Sequence, residues 1–428
     1  AGRFQFAVRV PCVSLLAERI AVKKARVVVE RPAEVLHELV PAELVGLLDA
    51  VVRGVGELDA LIVVSPSAED QHRPGVDPAE PIVPKETASG VRILVTAGGQ
   101  AVYTLTVTND GPSDAAVVRP LPDRFAGVVT AHGICPRFSD IDTYHMTANA
   151  IDEALRNYVC VGGNIDHVAG LDNFCWCDPV KSAKTPDGEY KAAQLVRSNQ
   201  ALYDYCLAYG VPLISGKDSM KNDYQIGDTK ISIPPTLLFS VIGKIDDVRQ
   251  ATTMDAKHAG DLIYLLGGTD DELGGSEYYA LHGELGANVP KVDAARAMQR
   301  YRTVNAAQQH GLIASCHDLS DGGLAVALAE TAFAGGFGVD VCLGRLDAPS
   351  GLSAAALLFS ESASRLLVTV RPEHQAAFEA LFAEQSCGCI GVVTATGDLR
   401  ITGVRDEPLA IASIDDLKTA WQAPLKEM

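Results

Sequence analysis

The sequence predicts a mixed chain of helices and strands built as two consecutive units, the second an α+β domain. Two observations carry this. Three apolar runs stop abruptly at glycine-rich polar clusters: Val211–Ile214 at Ser215-Gly216, Asp261–Leu266 at Gly267-Gly268, and Ile313–Cys316 at a stretch ending in Gly322-Gly323. An apolar run broken by Gly is how a buried strand delivers its end into a loop. Between them lie helix-periodic stretches, and Ile245–His258 reads as a connector from the first unit to the second.

At 428 residues the chain has room for roughly two to three domains. With 47% hydrophobic, 21% charged residues and 38 Gly, most of it reads as globular. No apolar run reaches the ~20 residues of a membrane span, and no secretory pattern opens the sequence. The net charge of −18 argues against nucleic acid or an anionic membrane as partner. Anionic substrates would need local cations, a metal or helix N-termini. The ten cysteines include two close pairs, Cys175/Cys177 and Cys387/Cys389, spaced C-x-C without neighbouring His-x-His. They make a weak zinc case and read as small core residues in a reducing compartment, so the expected location is cytoplasmic.

In chain order, residues 1–110 receive no assignment. Val10–Ala25 and Arg31–Val55 carry helix- and strand-like patterns with a break at Arg31-Pro32, and Ser65–Glu86 reads as a polar, Pro-rich loop. Val91–Ala97 and Ala101–Thr108 read as paired strands about Gly98-Gly99. From Gly111 the pattern sharpens. Asp114 heads a short apolar strand, and Gly127–Ala131 is another, ending in His132-Gly133. Asp142 or Thr143 caps a helix running to about Val161, buried through Met146, Ala150, Ile151, Ala154, Leu155 and Tyr158. Leu171–Pro179 reads as an aromatic loop with two carboxylates, Lys181–Tyr190 as a turn, and Lys191–Tyr209 as a helix closed by Gly210. Strand-like residues 231–243 finish the unit. In the second unit, Ala294–His310 and Leu324–Phe333 read as helices, followed by a helix around His374–Glu384 and strands at Gly388–Ala395 and Leu399–Ile401.

Three places hold candidate site residues. In Pro212–Asn222, Gly216 permits close backbone approach, Lys217 offers a cation, Asp218 an anion and Ser219 a hydroxyl. An ordinary solvated turn would look the same. Glu153 and Asn157 stand one helical turn apart, either as a surface pair or as two oxygen ligands for a hard cation. His317, Asp318, Ser320 and Asp321 precede a helix start, where an N-cap competes with a phosphate–metal corner, and the extra His and Asp favour the corner.

These residues fall within seven segments: Gly-Pro-Ser-Asp-Ala-Ala-Val-Val (111–118), Ile-Asp-Glu-Ala-Leu-Arg-Asn (151–157), Leu-Asp-Asn-Phe-Cys-Trp (171–176), Ile-Ser-Gly-Lys-Asp-Ser-Met (214–220), Glu-Leu-Gly-Gly-Ser-Glu-Tyr (272–278), His-Asp-Leu-Ser-Asp-Gly-Gly-Leu (317–324) and Phe-Ser-Glu-Ser-Ala-Ser-Arg (359–365). In this order they resemble the second half of the phosphoribosylformylglycinamidine synthase family, from about Gly111 to the C-terminus. The family shares its ATP-dependent superfamily with aminoimidazole ribonucleotide synthetase and selenophosphate synthetase. The resemblance implies an α/β and α+β fold: one aminoimidazole ribonucleotide synthetase-like pair, an N-terminal-type α/β domain over 111–250 and a C-terminal-type α+β domain over 255–405. An unassigned region, 1–110, would precede it as the possible tail of a first half, and a tail, 406–428, would follow.

The resemblance further implies a ligase of purine biosynthesis that converts formylglycinamide ribonucleotide, ATP and ammonia into the amidine. ATP would activate the amide oxygen as a phosphate ester that ammonia displaces, with ATP and Mg²⁺ as the cofactors. Asp172, Gly216, Asp218 and Ser219 would reach the catalytic ATP, Mg²⁺ and substrate. Lys217 departs from smaller relatives, which carry Asn there. Asp114, Glu153, Asn157 and Asp318, with Ser320 on the nucleotide, would form a second Mg²⁺–nucleotide site that is auxiliary in large members. For Glu153 and Asn157 this favours the ligand reading. No first half is legible in 1–110 and no glutaminase domain is legible, so the expected partners are a first-half synthetase domain or subunit and a separate glutaminase supplying ammonia. A homodimeric superfamily member and a non-catalytic nucleotide-stabilised scaffold are the competing readings.

Overall fold

The structure, a computed structural model, describes residues 112–121, 123–227 and 229–426, and before them the backbone of four strands. These are β1 (Ala25–Pro32), β2 (Leu58–Ser65), β3 (Arg92–Leu94) and β4 (Ala101–Val107), in the sheet order β1-β2-β4-β3. The pairing expected about Gly98-Gly99 is the antiparallel β3/β4 ladder. The break expected at Arg31-Pro32 falls at the end of β1. The patterns read at 10–24 and 33–55 and the loop at 66–86 lie outside the described residues.

The first unit is built on β5 (Ala116–Val118), β6 (Gly127–Ile134), β7 (Val168–Cys175), β8 (Leu213–Ser219) and β11 (Thr236–Ile245), in the order β5-β6-β11-β7-β8; a hairpin of β9 (Asp223–Ile226) and β10 (Thr229–Ser232) stands apart. Helix α1 (Thr143–Cys160) starts where expected, because the Asp142 carboxylate accepts from Tyr144 N at 2.8 Å and His145 N at 3.4 Å. Its predicted stripe is fully buried, from Met146 to Tyr158. Its large members Met146, Ile151 and Leu155 contribute about 1.5–3 kcal/mol each over their exposed states. Gly133 lets α1 lie directly on β6: a Cβ there would sit 2.1 Å from Ala150 O and 2.7 Å from Ala154 N. Helix α2 (Gly188–Tyr209) packs beside α1 and ends at Gly210, whose φ of 68° suits glycine.

Two expectations in this unit are corrected. The segment from Leu171 to Cys175 is not a loop but the second half of β7, because β11 and β8 supply ladders on both of its edges. Leu213–Ser219 is not a buried strand giving way to a loop. It is one continuous strand at the sheet edge, bonded in that sheet only to β7, and Leu213 and Ile214 are 43% and 57% exposed.

The second unit carries a seven-stranded sheet of β12 (Leu262–Leu266), β13 (Ser315–Asp318), β14 (Gly338–Cys342), β15 (Leu366–Val370), β16 (Cys387–Thr394), β17 (Asp398–Thr402) and β18 (Pro408–Ser413), in the order β13-β15-β12-β16-β14-β17-β18. Its helices are α3 (Glu277–Leu281), α4 (Ala294–Gln309), α5 (Gly323–Gly335), α6 (Ala354–Phe359), α7 (Gln375–Leu381) and α8 (Ile414–Lys426). Alternation splits the central strands between two cores. Tyr264, Leu266, Leu366, Val368 and Val370 join α4 and the first unit in one continuous core. Ile263, Leu265, Leu367 and Ile390 pack with Leu324 and Leu328 of α5 on the other face. The segment expected as a tail, 406–428, instead supplies β18 and α8 to this unit. Its Pro408–Ser413 run is a strand paired to β17, and α8 packs on α5. Among the described residues no helix is long and apolar enough to cross a membrane.

Candidate functional site

The shared core brings the start of β5, the end of β13 and one face of α1 to a single junction between the units. Asp114 arrives just before β5. Its Oδ1 takes a hydrogen bond from His317 Nδ1 at 2.7 Å, and its Oδ2 accepts from Asp318 N at 3.2 Å. Asp114, His317 and Asp318 each present an atom within 4.8 Å of the others, and they are the one such His/Cys/Asp/Glu group among the described residues. No cysteine takes part, and the nine described cysteines are free thiols.

His317 cannot be a ligand in this arrangement. Its Nε2 faces Glu330 Oε2 at 3.0 Å while Nδ1 faces Asp114, so both nitrogens must donate and the ring is an imidazolium. Burial opposes that charge, but the Asp114 and Glu330 carboxylates outweigh it and hold His317 well above the ordinary histidine value. That leaves Asp114 and Asp318 as the oxygen groups brought together here; of the residues expected from α1, Glu153 lies near enough to feel the charge of Asp318.

Glu153 accepts from Ile134 N at 2.8 Å, and its carboxyl is pushed up to about 8, first by burial and then by the charge of Asp321. Asp318 is raised as well, by burial and by Asp114 against the opposing pull of Arg156. Asn157 shares the helix face of Glu153 but donates to His132 O at 3.2 Å, and no hydrogen bond among the described residues ties it to Asp114 or Asp318. Ser320 Oγ donates to Asp318 Oδ2 at 3.0 Å and so helps fix the orientation of that carboxylate. Helix α5 is capped by Gly322, at φ 78°, without a side-chain hydrogen bond, so the alternative of a Ser/Asp cap is not what is seen. One backbone N–H of that corner, Gly322 N, is already held by Glu361 at 2.8 Å.

This set fits a hard divalent cation. All its donors are oxygens, as Mg²⁺ requires, and the acids crowd closely enough to raise one another, a repulsion that a bound cation would relieve.

Pattern reading missed two residues that organise the junction. Arg156 reaches Asp318 Oδ2 at 3.3 Å and pairs with Asp152 one turn back on α1. Asp152, fully buried, also accepts from Tyr209 and Tyr301 hydroxyls at 2.6 Å each and from Ser364 N at 2.9 Å. The i,i+4 spacing of Asp152 and Arg156 was visible, but it reads as a surface pair.

The other group lies elsewhere. Asp114 precedes one edge strand, β5, and Gly216–Ser219 lie on the other, β8, four strand spacings or roughly 19 Å away across the sheet. Gly216 pairs with Asp172, and a Cβ on it would come within 2.8 Å of Asp172 Oδ1, so the glycine makes room for that carboxylate. Asp172 is raised by burial and by Asp218. Strand alternation sets Asp172 and Asp218 on one face and Ser219, whose Oγ accepts from Lys217 Nζ, on the other.

Comparison with known proteins supplies the context. The family described as AIR synthase related protein, N-terminal domain, matches residues 112–245, and its C-terminal domain counterpart matches 258–404. Phosphoribosylformylglycinamidine synthase subunit PurL of Deinococcus radiodurans is 33% identical over 411 residues, 94% of this chain and 52% of that protein. The chain thus spans about half the length of this curated relative. Thermotoga maritima PurL complexed with FGAR superimposes with a TM-score of 0.58 at 19% identity, covering 71% of this chain and 47% of that one. The same protein complexed with ADP gives 0.55 at 18%, covering 71% and 46%. A HypE–HypF complex gives 0.52 at 13%, covering 70% of this chain and 93% of its counterpart. At such identities these superpositions show the fold alone.

Proposed function

This chain belongs to the AIR synthase related protein family, and from that premise we propose that it is part of an ATP-dependent phosphoribosylformylglycinamidine synthase. Its reaction is the conversion of formylglycinamide ribonucleotide and ammonia to the amidine. The 33% identity to a PurL subunit over nearly the whole chain supports the substrate class. The observation that carries the reading is that each unit sends a carboxylate, Asp114 and Asp318, to one buried point facing Glu153. There the chain holds a nucleotide through Mg²⁺, which neutralises phosphate charge when bound. Arg156, Ser320 and His317 orient the two aspartates, and Glu153 and Asn157 complete the oxygen set from α1.

The β8 edge, with Gly216, Asp218 and Ser219 beside Asp172, contributes one wall of a second, composite ATP–substrate site. On the sheet face turned away from α1, Leu171, Leu238 and Ile242 remain partly exposed and Lys217 and Ser219 share that face, whereas Asp172, Gly216 and Asp218 stand on the α1 side of the edge. An opposing first-half synthetase domain, in the same or another polypeptide, supplies the other wall, and a glutaminase partner supplies ammonia. A lone edge positions substrate poorly and excludes little water. The competing reading is a homodimer of the same superfamily, in which two copies of this chain build the paired sites.

The test is an amidine-forming assay with formylglycinamide ribonucleotide, ATP and ammonium. The chain alone should be close to inactive, and adding a first-half synthetase domain should restore turnover. Full turnover by the chain alone, as a dimer, overturns the composite reading.

A further inference from the structure

We propose that Glu330 and Trp421 are positioning residues for the Asp114–Asp318 site, so that the C-terminal helix helps set its cation affinity. A hydrogen-bond relay leads there. Trp421 Nε1 on α8 donates to Glu330 Oε1 on α5 at 2.9 Å, and Glu330 Oε2 accepts from His317 Nε2 at 3.0 Å. His317 Nδ1 then donates to Asp114 Oδ1 at 2.7 Å. The Trp421 ring is held in place by Phe333, with centroids 5.7 Å apart.

The relay crosses boundaries that would otherwise separate its members. Asp114 lies in the region matched by the N-terminal family domain, and His317 and Glu330 in that matched by the C-terminal one. Trp421 lies beyond residue 404, outside both. Each carboxylate oxygen keeps a second lone pair, so Asp114 can bind His317 and still face a cation. Its aim then depends on where the His317 ring stands, and among the described residues the hydrogen-bond partner on the far side of that ring is Glu330. Partners that orient ligand groups in this way typically change metal affinity about 10–100-fold when removed.

The inference rests on the nucleotide reading of the site, and calorimetric titration of the full chain with Mg-ADP separates the two. Glu330→Leu should weaken Mg-ADP about tenfold. Trp421→Phe, which keeps a ring against Phe333 and removes only the N–H, should weaken it about threefold. The double variant should bind no worse than Glu330→Leu, since the relay is already cut; a purely structural role would give additive losses. Because coupling is reciprocal, Mg-ADP should also slow hydrogen exchange of the α8 backbone. If wild type binds Mg-ADP, Asp114→Asn does not, and both relay variants match wild type, the relay is refuted while the site stands. If wild type binds no Mg-ADP, the site reading fails and the relay with it.

Discussion

Asp152 ties the two units together, and its removal is the sharpest test of how the junction is built. The carboxylate is fully buried, pairs with Arg156, accepts from Tyr209 within its own unit, and accepts from Tyr301 and Ser364 across the unit boundary. Asp152→Ala breaks a buried ion pair, which costs about 3–5 kcal/mol, although Arg156 keeps Asp318 and so the low end applies. Two orphaned tyrosine hydroxyls add about 1 kcal/mol each at minimum. The sum, about 5 kcal/mol, is a large part of the ~5–15 kcal/mol that holds a domain folded. Asp152→Asn, which keeps volume and one acceptor, should cost about 3 kcal/mol. Tyr301→Phe should cost only about 1 kcal/mol. Urea unfolding followed by fluorescence and far-ultraviolet circular dichroism measures all three. A loss below about 1 kcal/mol for Asp152→Asn, or equal losses for it and Tyr301→Phe, refutes the reasoning.

Other expectations follow from single positions. Glu153 has its folded-state pKa raised from 4.5 to about 8, so the stability it contributes is full below about 4.5 and is lost as pH rises through about 8. In chelator, Glu153→Gln should therefore flatten the fall in stability between pH 5 and 8.5, and an unchanged slope would contradict the assignment. Gly133→Ala pushes a Cβ into the α1 backbone and should cost about 3 kcal/mol by urea midpoint, whereas a neutral result would mean α1 does not sit on β6 as described. Leu213→Lys with Ile214→Thr changes exposed edge residues, so thermal stability should hold within about 0.5 kcal/mol while association with a first-half domain weakens in sedimentation; unchanged association would remove β8 from that contact.

The first unit was most legible where local chemistry decides. The Asp142 cap, the stripe from Met146 to Tyr158 and the Gly210 stop depend on neighbours within one or two turns, and sequence shows these. Leu213 and Ile214 misled because apolarity does not reveal whether a second strand lies beyond β8. Leu171–Cys175 misled because its polar residues hide a strand whose partners, β11 and β8, come 40 or more residues later. At the site, Asp318 was singled out by its polar cluster before a helix start and Glu153 and Asn157 by their one-turn spacing, while the role of Asp114 and the ligand reading of the helix pair came from the resemblance. The structure brings Asp114 against Asp318, while Asn157 donates to His132 O instead and, among the described residues, bonds to neither aspartate. Arg156 and Asp152 were missed because nothing local tells a buried i,i+4 pair from an exposed one. Trp421 was read as tail because β18 follows a polar turn at 404–407, and its target, Glu330, lies 91 residues away.

If carboxylates from both units hold a nucleotide through a divalent cation, titration calorimetry with ADP should depend on Mg²⁺. One ADP should bind per chain, only with Mg²⁺ present, and the Glu153→Ala, Asp318→Ala double variant should bind none. ADP binding that is indifferent to Mg²⁺, or that survives in the double variant, would contradict that arrangement.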